Sequence, residues 1–239
     1  MKVKILGSSS KGNCYIFDDG QEQLIIEAGV DIKKIKLELG FDFSRVVGTL
    51  ISHCHGDHAC SVKNLINSGQ KVYSSIKTFE ALNIKSPYRN TIESKKWYKL
   101  GNNYLVMPFD VQHDAPDTFG FMIKHKEVGN IVFITDTYYV KYKFPQANHY
   151  FVECNFCESI IKSKYKNDLR FLRDRIFRSH FSLQNCKEFL MANDMTGVKS
   201  ITLTHLSDTN SDENLFLREI IGVTGKTTYI AKPNLEIEI

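Results

Sequence analysis

The chain of 239 residues predicts a layered α/β protein built on mixed sheets, and three observations point there. Short runs rich in Ile, Val, Leu, Phe and Tyr, punctuated by Gly and Asp, dominate the first half, as strands do. Helical patterns with recognisable caps recur between and after them. Strands come in succession as well as in alternation with helices, which argues for stacked mixed sheets over a doubly wound parallel sheet. No repeat, low-complexity tract or linker divides the chain, so a single domain over 1–239 is expected.

In order, strands are predicted at 3–6, 14–17, 24–27 and 46–51. Asp31 is a good N-cap and Gly40 a good stop, which places a helix over 31–39. A second helix over 61–67 has Gly69 behind it. Further strands are predicted at 104–109, 119–124, 130–135, 150–153 and 200–204, and helices at 164–177, 183–192 and 212–221.

Composition is that of an ordinary globular protein, with a net charge of +4. That mild basic bias allows an anionic substrate without demonstrating one. No Lys/Arg-dense stripe with interleaved aromatics is evident, although 170–178 holds four arginines. The start, Met1 to Leu6, is too charged for a signal peptide, and no apolar run approaches a membrane span. A cytosolic location without membrane contact is therefore expected. The six cysteines, Cys154 and Cys157 included, read there as ordinary reduced thiols.

The chemistry gathers at Ser52-His53-Cys54-His55-Gly56-Asp57-His58. An apolar strand ends there in three histidines and an aspartate. Imidazole nitrogen and carboxylate oxygen are donors that borderline divalent metals prefer. In extended backbone His53 and His55 point the same way. Gly56 permits a sharp turn, so Asp57 and His58 can aim at a second point. One short loop can thus serve two metals.

This segment resembles the signature of the metallo-β-lactamase superfamily, and the likeness continues along the chain. His113 in Val111-Gln112-His113-Asp114, Asp136 in Ile134-Thr135-Asp136-Thr137 and His205 in Leu203-Thr204-His205 follow in the superfamily's order. The resemblance implies a four-layered αββα sandwich with its metals at one edge. It further implies one metal held by His53, His55 and His113, a second by Asp57, His58 and His205, and Asp136 between them. Zinc is expected, with manganese the alternative where carboxylates bridge. One departure is Glu27 before Ala28-Gly29, where the superfamily often has Asp. In the superfamily that residue supports the histidine loop, so the resemblance leaves the metal ligands in place and the hydrogen-bond geometry of Glu27 open.

Two further stretches turn the expectation toward phosphodiesters. Gly7-Ser8-Ser9-Ser10-Lys11-Gly12-Asn13 resembles the opening of the YycJ/WalJ-like nuclease branch, which makes Ser9 and Asn13 candidate substrate contacts. Glu153-Cys154-Asn155 and Ser179-His180-Phe181-Ser182 resemble paired motifs of that branch and of tRNase Z relatives. They imply His180 as an acid or phosphate contact, Glu153 as its orienting carboxylate, and Ser182 as a further substrate contact. Asp57 and Asp136 complete the expected catalytic set, with metal-activated hydroxide attacking phosphorus.

A resemblance to the viral anti-Pycsar phosphodiesterases, with the modest charge, favours a small cyclic mononucleotide, opened in a host cytosol to blunt antiviral signalling. A DNA exonuclease of the YycJ/WalJ type is the alternative. A nucleotide-binding module without catalysis is a third reading, of another class. Relatives in both groups pair, so a homodimer is expected.

Overall fold

The computed structural model describes residues 1–164 and 170–239, with side chains from 174 onward in the helix that begins at 170. The first sheet joins β1 (Lys2–Ser9), β2 (Gly12–Asp18), β3 (Gln23–Ile26), β4 (Val46–Leu50), β5 (Val72–Ser74) and β6 (Arg89–Thr91), with β14 (Leu235–Glu238) outside β1. The second runs β13 (Thr227–Ile230), β12 (Ser200–Thr204), β11 (Ala147–Glu153), β10 (Gly129–Ile134), β9 (Phe119–His125), β8 (Tyr104–Asp110) and β7 (Tyr98–Leu100). Each sheet is antiparallel on one side and parallel on the other.

Alternation along the strands explains the layering. In β2, Tyr15 and Phe17 face the second sheet, where Phe121, Phe133 and Phe151 meet them. Cys14 and Ile16 face the other way, toward Ile35 of α1 (Ile32–Glu38) and the apolar side of α3 (Val62–Asn67) and α4 (Ile76–Ala81). Outside the second sheet, Val132, Tyr150 and Leu203 pack with α7 (Leu183–Met191) and α8 (Glu213–Thr224). Strands covered on both faces are apolar on both faces, and helix–sheet–sheet–helix layering follows. Phe133 stacks on Phe151 at 6.1 Å and meets the edge of Tyr15 at 5.1 Å. Truncating such a ring to Ala costs about 3–5 kcal/mol.

The predicted strands all appear, within a few residues at their ends. Asp31 caps α1 by accepting from Lys33 N. Strands β5, β6, β7, β13 and β14 are additional to the prediction. Segments such as Arg89-Asn90-Thr91 have no apolar alternation of their own and are strands because β5 pairs with them. The helix predicted over 164–177 lies partly outside the described residues, which place α5 (Glu158–Lys164) and α6 (Arg170–Ser179) around it. The fourteen described strands are positioned so that β4, β8, β10, β11 and β12 all end at one edge.

Candidate metal centre

Every donor expected from the sequence arrives at that edge from a strand end or from the loop and short helix behind β4. β4 leads into the His53–His58 loop, whose last residues form the short helix α2 (Gly56–Ala59). β8, β10, β11 and β12 lead to His113, Asp136, Glu153 and His205. Glu27, Asp136 and His205 have φ of 63°, 39° and 54°. A left-handed backbone at non-glycine residues costs about 1–3 kcal/mol each and is held by the surrounding packing. A Cβ on Gly29 would overlap the carbonyl of Asp57, so the chain behind α2 needs glycine there.

Three nitrogens form the first cluster. His55 Nδ1 lies 3.1 Å from His53 Nε2 and 3.2 Å from His113 Nε2. His113 donates from Nδ1 to the Ser179 carbonyl at 2.8 Å, which leaves its Nε2 a bare lone pair. His53 Nδ1 is engaged by Ser52 Oγ at 2.8 Å. The one proton available to His55 Nδ1 can satisfy only one of its two contacts, whereas a cation at the centre satisfies all three nitrogens. Ligands of a tetrahedral zinc at about 2.0–2.1 Å stand about 3.3 Å apart, close to these separations. Burial holds His53 well below, and His113 below, the ordinary histidine range, in the neutral form that ligates.

Asp57, His58, Asp136 and His205 form the second cluster. His58 Nε2 lies 3.2 Å from Asp136 Oδ1 and 3.4 Å from Asp57 Oδ2, and His205 Nε2 lies 3.3 Å from Asp57 Oδ2. Asp136 turns its other oxygen to the first cluster, 3.7 Å from His113 Nε2 and 3.9 Å from His53 Nε2. Its carboxylate therefore faces both clusters. Burial opposes charge here, yet Asp136 and its neighbours raise His58 well above its ordinary value and His205 to about 10. Burial likewise pushes Asp57 and Asp136 up, but the histidines prevail and both carboxyls lie below their usual range. So concentrated a negative charge calls for cations, and these donors fit divalent metal ions.

A ring of support surrounds the donors. Glu27 is fully buried, accepts from Ser52 N at 3.3 Å, and sets Oε2 3.5 Å from His58 Nδ1. The longer side chain thus still reaches the loop from behind. Glu153, also fully buried, accepts from His180 Nδ1 at 2.6 Å, Thr137 N at 2.9 Å and Phe181 N at 3.1 Å, and lies 3.1 Å from His205 Nδ1. Burial lowers His180, but Glu153 outweighs it and raises the imidazole above its ordinary value. Glu153 is itself pushed up by burial and brought below its ordinary value by His180.

A cavity of about 440 Å³ opens over both clusters, lined also by Ser10, Asp114, Arg175 and Ile176. Asn13 is buried and lies outside that lining, with its amide 3.1 Å from His58 Nε2, the nitrogen that faces Asp57 and Asp136, and donating to the Asp57 carbonyl. Ser9 is outside it as well, its hydroxyl accepting from Lys11 N. Ser182 is buried and caps α7 by accepting from Asn185 N. Sequence reasoning missed Asp114, whose Oδ1 lies 3.1 Å from His113 Nε2 and whose Oδ2 lies 3.5 Å from Arg175 Nε. Its only signal was its place directly after a donor. Of the four arginines in 170–178, the side chains of Arg170 and Arg173 lie outside the described residues.

The comparisons with known proteins agree with this architecture. Exodeoxyribonuclease WalJ of Streptococcus pneumoniae is 29% identical over 234 residues, covering 90% of this chain and 84% of that protein. The metallo-β-lactamase fold protein YhfI of Bacillus subtilis superposes with a TM-score of 0.72 at 17% identity, covering 99% of each chain. Zinc-bound PqqB of Methylobacterium extorquens does so with 0.71 at 15% identity, covering 100% of each. A family model described as the beta-lactamase superfamily domain matches residues 23–206. That match takes in the histidine loop and every donor through His205, and the chain belongs to this β-lactamase superfamily, with the metallo-β-lactamase fold.

Proposed function

We propose that the protein is a metal-dependent phosphodiesterase that removes nucleotides from DNA ends. The observation that carries the substrate is the likeness to exodeoxyribonuclease WalJ over 90% of the chain. The cyclic-mononucleotide reading uses the same chemistry, but its support in the modest net charge weighs less than that likeness.

His53, His55 and His113 would hold one divalent ion, and Asp57, His58 and His205 the other, with Asp136 shared. Bound there, such ions supply Lewis acidity toward a phosphoryl oxygen and acidify water near neutral pH. Asp136 and Asp57 orient the attacking water by accepting its hydrogen bonds. Glu153 fixes His180 through Nδ1, which leaves Nε2 free to give a proton to the departing oxygen. Arg175, in the cavity wall, offers a guanidinium to phosphate oxygens once it exchanges Asp114 for substrate.

The test is a panel of end-labelled DNA, 3′,5′- and 2′,3′-cyclic nucleotides and bis-p-nitrophenyl phosphate, with zinc or manganese supplied. Progressive loss of nucleotides from DNA ends is expected, abolished by chelator. Turnover of a cyclic nucleotide beside intact DNA would transfer the assignment to the cyclic substrate.

A further inference from the structure

The outward side of β8 is only partly covered. Leu105 and Met107 are half-buried there, while their neighbours Tyr104, Val106 and Pro108 are buried. Across the ladder, Leu105 pairs with Lys124 and Met107 with Met122. Cations and aromatic rings gather on this face. Lys124 Nζ stands 4.4 Å from the centroid of Trp97, a ring that is 40% exposed. Lys95 and Lys141 reach within 5.5 and 5.2 Å of the Tyr142 ring. Among the described residues none of these three lysines has a carboxylate partner. Asp110 accepts from the Tyr142 hydroxyl at 3.4 Å.

The face leads to the metal donors. From Leu105 to Asp110 the strand takes five steps, about 17 Å at about 3.4 Å each, and His113 follows three residues beyond it. At the near end Tyr139, more than half exposed, bridges to Gln112 beside His113, and Tyr138 donates from N to the Gln112 carbonyl at 3.0 Å. Unpaired ammonium groups attract phosphates, and exposed rings accept the faces of unpaired bases. Bases in a duplex are already stacked, so the arrangement suits a single strand.

We propose that this face is the track along which one DNA strand reaches the metal centre; its choice of ligand rests on the exonuclease reading. The basic and aromatic residues come from separate segments, 95–97, 124 and 138–142, so no stripe shows in the linear sequence.

Trp97 is the only tryptophan in the chain, and its emission reports directly on this face. Metal-replete protein is titrated with a phosphorothioate single strand of about 15 nucleotides. Saturable quenching of Trp97 is expected. Replacing Lys95, Lys124 and Lys141 together by Gln should weaken binding at least about tenfold and lower the salt slope by about 2, at about 0.7 per phosphate. Hydrolysis of bis-p-nitrophenyl phosphate should remain unchanged in that variant, which shows that it folds. Unaltered emission on strand binding, no strand binding, or a variant with wild-type affinity and slope would each overturn the proposal. Binding through these lysines without digestion of ordinary DNA would instead sink the exonuclease reading and leave the track standing.

Discussion

At the end of the sandwich away from the metal donors, Asp19 and His125 meet at 3.0 Å, with both side chains almost fully enclosed. Asp19 also accepts from Gln21 N, Glu22 N and the Asn103 amide, and these bonds bring its carboxyl to about 2 against the upward push of burial. Every acceptor there has a donor from the chain itself. At the donor edge, by contrast, the nitrogens of His53, His55 and His113 face one another, and Asp57 and Asp136 crowd onto the same two histidines, His58 and His205. A buried histidine beside a carboxylate is thus no mark of a site. The mark is a set of lone pairs that the chain cannot satisfy alone.

The largest test of this contrast removes one lone pair. His113→Ala should lower phosphodiester turnover about a thousandfold or more, with a fall in bound metal by elemental analysis. A variant that retains both metals and full activity would contradict the donor assignment. Glu153→Gln keeps the shape but weakens the hold on His180, and about 10–100-fold loss of turnover is expected. Metal content in that variant should stay near wild type, because Glu153 acts through its neighbours.

At the opposite end the expected effects change currency. Asp19→Ala should leave turnover unaffected while costing about 3 kcal/mol by stranding a buried partner. For a chain of this size that lowers Tm by about 6–12 °C in a thermal melt. The depressed carboxyl of Asp19 stabilises the fold above its unfolded value near 3.9, and that contribution is lost as pH falls through about 2. In Asp19→Ala, stability measured from pH 5 down to pH 2 should therefore fall less steeply than in the wild type. Smallest is Glu27→Asp, which draws the carboxylate back from Ser52 and His58. It leaves a gap of one methylene, about 1 kcal/mol, and should change metal affinity by less than tenfold. A larger loss would show that the reach of Glu27 to His58 cannot be shortened.

The same contrast explains what was legible beforehand. Val46–Leu50 and the histidines behind it announce themselves, because an apolar run followed by clustered donors has few structural uses. The distal donors were legible by their order along the chain. Asp114 and Arg175 were not, since their roles come from meeting across the cavity. Ser182 is implied as a substrate contact by the motif it shares with His180, and sequence alone does not show that its buried hydroxyl accepts from Asn185 N in the first turn of α7. The edge strands escaped notice for a related reason: the three residues of β6 owe their form to β5 rather than to their own pattern.

One consequence concerns how the molecule is made. His205 follows β12, which lies between β11 and β13 in the interior of its sheet, and its backbone N–H is taken by Ser8 Oγ from the first strand. A chain emerging from the ribosome carries the His53–His58 loop early, but the paired centre has no final donor until β12 has been placed. The centre is therefore assembled last, by the seam that joins the beginning of the chain to its far portion. A truncated product keeps the most conspicuous part of the motif and lacks the means to close it.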